Sequence, residues 1–376
     1  MNTAEKRKSS KKKKKKRKIV LFIIEILVLL ILLGVLAAVQ KLDKMNEGEL
    51  DKEDLEINID EETQELLQGY TNIALFGLDN RSGNNYDSGN SDAIMIASIN
   101  NDTKEVKIVS VYRDSYLSIN DEDSLRKINS AYQKGGPQAA VKALNKNLDL
   151  NITEYVAVDF QALAMTINKL GGIDITVTDR EANDIYTRAY IDEMNEKFGA
   201  KASYLPSGEN VHLDGWQATA YARLRNVGDD YARTERQRLV ISKMAEKAKA
   251  SDLKTLTSIV NEMTDYIGTS LTASEILGLA ASVKEYELVD TQGWPFRLAP
   301  ATTSGGAQVL VPTDLETNVV FLHEYLFEVE DYEPSDVVKT LSGKIADSTG
   351  TGASATTRDT TPESLLDEQS VGDEEE

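Results

Sequence analysis

The stretch AIMIASINNDTKEVKIVSVY, residues 93–112, contains two strand-like patterns separated by a turn. Its first part, Ala93 to Ile99, is a short apolar run typical of a buried strand. Its last part, Val106 to Tyr112, alternates apolar and polar residues, and turn-forming residues at positions 100–104 separate the two parts. The stretch therefore predicts an antiparallel hairpin.

Strand and helix patterns interleave around this hairpin. The run NIALFGL (72–78) just before it predicts another buried strand. A hairpin inside a chain that otherwise alternates strands with helices predicts an α/β fold with a mixed β-sheet flanked by helices. Further strands are predicted at residues 155–158, 173–177 and 308–311, and helices at residues 137–148, 160–170, 214–224, 230–250 and 315–327.

The N-terminal region predicts a membrane anchor. Residues 1–18 hold eleven Lys or Arg against one acid. They precede IVLFIIEILVLLILLGVLAAV (19–39), which is long enough to span a bilayer as a helix and carries one charge, Glu25. The basic flank predicts a cytoplasmic N-terminus, with the rest of the chain outside the cell membrane. A cleaved signal peptide is the alternative interpretation.

Composition limits the remaining possibilities. The net charge is −20 despite the basic N-terminus, which argues against a nucleic-acid partner. The chain has no cysteine, so disulfides and thiolate chemistry are excluded, and its two histidines, His212 and His323, are too few for a histidine-rich metal site. The predicted organisation is a basic cytoplasmic tail (1–18), a transmembrane anchor (19–39), an acidic stem (40–69), an extracellular α/β domain (70–330) and an acidic, Ser/Thr/Gly-rich disordered tail (331–376).

A second stretch, YARLRNVGDDYARTERQR (221–238), predicts a phosphate site. It contains five arginines and no lysine, and only a guanidinium binds phosphate oxygens two at a time. Arg233 and Gln237 lie one turn apart on the second predicted helix, which Asp230 can cap. The alternative is a solvated basic face paired with nearby acids. The five arginines are Arg223, Arg225, Arg233, Arg236 and Arg238.

Acidic and basic residues also follow the ends of the first three predicted strands. Asp79 and Arg81 follow the first strand, Asp92 opens the second, and Arg113 and Asp114 follow the third. If these strands are neighbours and the second and third are antiparallel, Asp79, Asp92 and Arg113 gather at one end of the sheet. Carboxylates beside phosphate suit a hard cation such as Mg²⁺. Loop aspartates and a strand-end salt bridge are the plain alternative.

Together these motifs resemble the LytR-CpsA-Psr family over about residues 70–250. The resemblance rests on eight motifs in order: GLDNR (77–81), SDAIMIASIN (91–100), VSVYRDSYLSI (109–119), KINSAY with GGP (127–137), VDFQAL (158–163), KLGGIDITV (169–177), LDGWQATAYARLR (213–225) and DYARTERQR (230–238).

The resemblance implies a phosphotransferase of the cell wall. Such proteins transfer a teichoic acid or a capsular polysaccharide from a polyprenyl-pyrophosphate carrier onto peptidoglycan. By position, it implies a divalent cation (Mg²⁺, with Mn²⁺ as a substitute) on Asp79 and Asp92, and catalytic roles for Arg113, Asp114 and Asp230. It assigns pyrophosphate binding to Arg81, Arg113, Arg223, Arg225, Arg233 and Gln237.

Several points stay open in the sequence. The base that accepts the hydroxyl proton is either Asp92 or Asp114. Apolar faces of residues 160–170, 216–224 and 239–248 either line a sleeve for the lipid or form ordinary core. A lipid-pyrophosphate hydrolase would share the whole site, and a non-catalytic receptor for lipid or glycan would keep the arginines without needing the metal ligands.

Overall fold

The computed structural model describes residues 48–79, 86, 89–228, 230–263, 266–351, 358–362 and 365. A short 3₁₀ helix (Lys52–Asp54) precedes the first α-helix. In chain order the elements are α1 (Glu61–Leu67), β1 (Tyr70–Leu78), β2 (Ser91–Asn100), β3 (Glu105–Val111), β4 (Tyr116–Ser118), β5 (Leu125–Lys127), α2 (Asn129–Leu148), β6 (Glu154–Asp159), α3 (Phe160–Lys169), β7 (Ile173–Val177), α4 (Asp179–Asn183), α5 (Ile185–Phe198), β8 (Gly208–Leu213), α6 (Gly215–Arg223), α7 (Asp230–Ala250), α8 (Leu253–Met263), β9 (Ile267–Thr269), α9 (Ala273–Ala281), β10 (Glu287–Trp294), β11 (Arg297–Thr302), β12 (Gln308–Pro312), α10 (Leu315–Phe327), α11 (Asp336–Thr349) and β13 (Arg358–Asp359).

The predicted hairpin forms the centre of a six-stranded mixed sheet. Strands β2 and β3 pair antiparallel, from Met95 opposite Ser110 to Ile99 opposite Val106. The strand order is β10-β3-β2-β1-β6-β9, in which β1 is antiparallel to β2 and parallel to β6. The prediction of a mixed sheet flanked by helices is confirmed.

Alternate residues of the central strands face two different layers. One face, which includes Phe76 and Ile96, packs in the main core against α2, α10 and α11. On the opposite face Met95 and Ile108 pack with Ile241 of α7. Because strand side chains alternate between faces, one apolar run serves both layers.

A second, smaller core supports the helices nearest the site. The hairpin of β7 and β8 and helices α3 to α7 supply its apolar residues. Asp214 caps α6 through a reciprocal capping box with Gln217. Gly215 then lies so close to α3 that an added Cβ would stand 1.8 Å from the Ala164 carbonyl oxygen. Glycine at this position therefore lets α6 approach α3 and places the residues that follow it.

The second half of the predicted acidic stem belongs to the domain. Leu50, Leu55 and Leu67 are buried in the main core. The prediction of a separate stem over residues 40–69 is therefore wrong for residues 50–67, because these apolar residues are spaced along an acidic segment that packs on the body.

The predicted disordered tail is also partly wrong. Helix α11 buries Val338, Leu341 and Ile345 in the main core, and β13 pairs antiparallel with β11. Residues 336–349 and 358–359 are therefore ordered parts of the fold, although the composition of residues 331–376 is polar.

The predicted anchor, residues 19–39, and the cytoplasmic tail before it lie outside the described residues. Within the part of the chain that the structure describes, no helix has the length and apolar content needed to cross a bilayer.

Candidate active site

The ends of three sheet strands bring predicted site residues together. Asp79 follows β1, Asp92 lies at the start of antiparallel β2, and Arg113 follows β3. The Arg113 Nη1 atom donates to Asp92 Oδ1 at 2.7 Å. The predicted gathering of Asp92 and Arg113 at one end of the sheet is confirmed.

Asp92 is shared between two arginines. Arg225, from the segment after α6, donates to its second oxygen at 2.5 Å. Burial by itself would raise the pKa of the Asp92 carboxyl, but the guanidinium groups of Arg113, Arg225 and Arg233 hold that pKa below its ordinary value. Asp92 is therefore a carboxylate at neutral pH.

Arg223, the last residue of α6, is held on three sides. Its guanidinium carbon lies 4.2 Å from the ring centroids of both Phe160 and Tyr190. Its Nη2 atom donates to Glu193 Oε2 at 3.2 Å. Stacking on aromatic faces fixes the plane of a guanidinium, so Arg223 presents its N–H groups in a set direction.

Asp79, Asp92 and three arginines form the charged end of a cavity of about 330 Å³, whereas Arg113 contacts Asp92 but is not among the residues that line it. Arg223 and Arg225 reach it from the end of α6, and Arg233 and Gln237 reach it from α7. Arg233 is 3 % exposed, so its charge lies at a desolvated position. Anionic groups bind strongly to such charges because little water competes with them.

The rest of the cavity is apolar. It extends between the sheet and helices α3 and α7, and its apolar wall includes Leu75, Met95, Val158, Leu163, Val240 and Met244. Residues of the predicted sleeve segments 160–170 and 239–248 therefore do line a cavity, and so does Ala222 of the segment 216–224. Trp216 does not, since it stacks on Phe198 in the second core at 5.6 Å.

Two arginines of the stretch 221–238 serve other purposes. Arg236 is buried, and its Nε donates to Glu181 Oε1 at 2.8 Å while its other nitrogens donate to the carbonyl oxygens of Leu224 and Val227. It therefore fixes the loop between α6 and α7. Arg238 lies beside Tyr112 and Gly293, away from the cavity lining.

Three further predicted residues do not contribute to the described cavity. One of them lies apart from it, and the side chains of the other two fall outside the described residues. Asp114 pairs with Lys127 at 2.9 Å and does not line the cavity. Asp230 is the first residue of α7, but its side chain lies outside the described part, and Arg81 lies wholly outside it. Their roles stay predictions.

Asp159 is a cavity residue that the sequence analysis missed. It ends β6, which runs parallel to β1 and places Asp159 opposite Leu78, next to Asp79 in sequence. Its Oδ1 accepts the Ala162 N–H at 2.8 Å and caps α3. Burial raises the pKa of its carboxyl. An aspartate between a strand and a helix was a visible capping signal, but only the parallel register places it beside Asp79.

The donor set at the charged end fits a hard divalent cation. Asp79 and Asp92 offer carboxylate oxygens, and each such oxygen has more than one lone pair, so the arginine contacts of Asp92 do not exhaust it. The described residues contain no cluster of three or more His, Cys, Asp or Glu arranged to hold an ion. The pair of carboxylates suits Mg²⁺, which takes one or two carboxylates and completes its shell with water and phosphate oxygens.

Comparison with known proteins settles the family. A family model described as the LytR_cpsA_psr family matches residues 32–319, most of the chain. The chain belongs to this family. The LytR-CpsA-Psr resemblance found in the sequence is confirmed.

Three relatives illustrate the range of the family. The polyisoprenyl-teichoic acid–peptidoglycan teichoic acid transferase TagV of Bacillus subtilis is 30% identical over 51% of this chain and 47% of its own length. Biofilm regulatory protein A of Streptococcus mutans is 29% identical over 64% of this chain and 59% of its own. The structure of TagT (YwtF) of Bacillus subtilis with bound octaprenyl pyrophosphate has the same fold, with a TM-score of 0.51, 20% identity and coverage of 80% and 99%. This chain thus spans about half to three fifths of the length of the two sequence relatives.

Proposed function

We propose that this family member is a Mg²⁺-dependent phosphotransferase that attaches an anionic glycopolymer, a teichoic acid or a capsular polysaccharide, to peptidoglycan. The donor is the glycopolymer linked to a polyprenyl-pyrophosphate carrier. Residues 19–39 anchor the protein in the cell membrane with the N-terminus in the cytoplasm, so that the domain lies outside, where peptidoglycan is.

The observation that carries this proposal is the cavity's division into an apolar part and a charged end. The apolar part suits a hydrocarbon chain, while the end holding Arg223, Arg225 and Arg233 suits a phosphate group. A polyprenyl pyrophosphate has both parts in one molecule. The presence of octaprenyl pyrophosphate in TagT and the transferase names of TagV and TagT support the same substrate class.

The arginines bind the pyrophosphate and hold it for in-line displacement. Arg223 is oriented by its two aromatic neighbours, Arg233 is desolvated, and Arg225 extends from the α6–α7 loop. Phosphoryl transfer depends on positioning and charge stabilisation, which preorganised guanidinium groups provide. Arg113 acts through Asp92, whose carboxylate it holds in place.

Asp79 and Asp92 are the residues that hold the cation. When bound, Mg²⁺ neutralises charge on the phosphate oxygens. Asp92 suits this role better than that of a base, because its arginine neighbours lower its pKa and so reduce its proton affinity.

The reaction joins an acceptor hydroxyl oxygen to the phosphorus that carries the glycan. The bond between this phosphorus and the bridging oxygen breaks, and polyprenyl phosphate leaves with that oxygen. The hydroxyl proton goes to a carboxylate of the chain. Asp159 suits this step because it lines the cavity and its pKa is raised, whereas Asp114 is paired with Lys127.

A hydrolase of lipid pyrophosphates is the second candidate, because it would use the same cavity with water as the acceptor. The arginines, the carboxylates and the apolar cavity are equally suited to both reactions. The acceptor alone separates them.

The test is reconstitution with the full-length chain in detergent. The reaction contains Mg²⁺, a polyprenyl-pyrophosphate-linked oligosaccharide and peptidoglycan oligomers, and mass spectrometry reads the products. We expect a glycan joined to peptidoglycan through a phosphodiester, and loss of this product in Asp79→Ala and Arg223→Ala. The matched control is Arg188→Ala. Arg188 is an exposed arginine of α5 that lies over the Tyr204 ring, away from the cavity. Release of glycan phosphate alone would favour the hydrolase.

A further inference from the structure

One flank of α5 borders the charged end of the cavity. Tyr186, Tyr190 and Glu193 follow each other at spacings of four and three, so they share this flank. Tyr190 stacks on Arg223 at 4.2 Å and lines the cavity, and Glu193 pairs with the same arginine at 3.2 Å. The flank therefore faces the proposed phosphate position.

Tyr186 continues this flank into solvent. It lies one helical turn before Tyr190, and it is 48% exposed. Four residues of helix correspond to a rise of about 6 Å. An exposed aromatic ring therefore stands about the width of one sugar ring away from the residue that stacks on Arg223.

A different tyrosine, Tyr204 from the segment after α5, packs against the opposite flank of this helix. Tyr204, 49% exposed, donates from its hydroxyl to Asp192 at 3.1 Å, and Arg188 lies over its ring at 5.3 Å. Asp192 is two residues from Tyr190, which places it on the far side of the helix. Tyr204 thus matches Tyr186 in exposure but does not border the cavity.

The proposed donor explains what the exposed ring could contact. If the polyprenyl tail fills the apolar cavity and the pyrophosphate binds the arginines, the first sugar of the donor must leave through the charged end. A sugar ring presents apolar C–H groups on its faces and hydroxyls on its rim. Tyrosine offers a rigid apolar face with a polar tip.

We propose that Tyr186, one turn before Tyr190 on this flank, forms a subsite for the sugar that is linked directly to the donor's pyrophosphate. The subsite rests on the proposed function, since it requires the pyrophosphate at Arg223. With this subsite the protein binds a carrier that bears a glycan more tightly than it binds the bare carrier lipid.

Two probes test the subsite with the full-length protein. One is octaprenyl pyrophosphate, and the other is octaprenyl pyrophosphate bearing a single N-acetylhexosamine, each titrated by calorimetry in detergent with Mg²⁺. Tyr186→Ala should weaken binding of the sugar-bearing probe about fivefold and leave binding of the bare probe unchanged. Tyr204→Ala should leave both affinities unchanged, and thermal unfolding checks that each variant is folded.

The outcomes separate this inference from the proposed function. Failure of the wild type to bind the bare probe, or undiminished binding by Arg223→Ala, would refute the proposed function itself. If that binding holds, the subsite is refuted by an equal loss for both probes in Tyr186→Ala or by no loss at all. A change confined to the Michaelis constant of the peptidoglycan acceptor would place the acceptor there instead of the donor sugar.

Discussion

At the scale of single residues, the charged end of the cavity is built from arginines that already have carboxylate partners. Arg225 contacts Asp92, and Arg223 contacts Glu193. A phosphate group must compete with these carboxylates for the same guanidinium N–H groups, because both anions use the same donor geometry. The two carboxylates have different expected roles. Asp92 lines the cavity and is also suited to hold the cation, whereas Glu193 only contacts Arg223 from α5.

We predict that Glu193→Gln binds pyrophosphate more tightly than the wild type does. Removing the charge of Glu193 removes a competitor for Arg223, and because Glu193 is partly exposed the gain should be modest, about two- to fivefold. Calorimetric titration with inorganic pyrophosphate and Mg²⁺ measures it. Asp192→Asn, an exposed acid on the far side of the same helix, is the control and should leave the affinity unchanged. Weaker or unaltered binding by Glu193→Gln would show that Glu193 does not compete.

The sequence identified the residue types of this site better than their individual roles. An arginine-only stretch is visible in the sequence, and three of its members do line the cavity. Arg236 belongs to the same stretch, but it does not line the cavity, because its guanidinium binds Glu181 and two carbonyl oxygens. Helical spacing alone does not separate them, because the loop between α6 and α7 changes the direction in which successive arginines point.

At the scale of elements, the α6–α7 loop connects the two helices that carry the site. Its conformation is held from α7 by Arg236, whose partner Glu181 belongs to α4. Glu181 also accepts the Thr178 N–H at 2.9 Å in the capping box of α4. Burial would raise the pKa of Glu181, but the Thr178 and Arg236 hydrogen bonds hold the pKa below its ordinary value. One carboxylate therefore joins α4, α7 and the loop.

We predict that this pair stabilises the fold only where Glu181 is ionised. Because its folded-state pKa is lowered, its contribution is present above the ordinary carboxyl range, from about pH 5 upward, and is lost as the pH falls through the lowered value. Glu181→Gln should reduce the free energy of unfolding by roughly 3 kcal/mol at pH 7, and the difference should shrink at acid pH. Urea unfolding at several pH values measures both. A difference that stays constant with pH would exclude an ionic contribution, and Glu209→Gln, an exposed acid, is the control.

At the scale of the whole molecule, segments from both ends of the described chain close over the main core. Lys142 of α2 pairs with Asp54 at 2.5 Å and with Asp121 at 2.9 Å. Asp123 pairs with Lys344 of α11 at 2.6 Å. Ion pairs thus join the early segment, the loop between β4 and β5 and the late helix around α2.

The fold was predictable where hydrophobic periodicity is long and continuous, as in the hairpin 93–112 and helix α10. The two terminal errors share one physical cause. Residues 50–67 and 336–349 contribute only a few apolar side chains each, and polar residues outnumber them. The segment DVVKTLSGKIADST places Val338, Leu341 and Ile345 at helical spacing. A prediction from the overall composition of the tail does not register this spacing. A few apolar residues at helical spacing identify a packed helix only once the core that they cover is known.

Helix α11 lies beyond residue 319, where the family match ends, and yet it covers the main core. We predict that Leu341→Ala, which truncates a side chain that is 1% exposed, reduces the free energy of unfolding by about 3 kcal/mol. Urea unfolding of the full-length protein measures this, with Lys339→Ala as the control, because Lys339 extends from the same helix to an exposed partner, Glu333. A disordered tail would give no loss for either variant. A loss in Leu341→Ala alone would show that this chain needs a C-terminal helix outside the family-matched region to complete its core, and a loss of similar size in both would point to a general effect on α11.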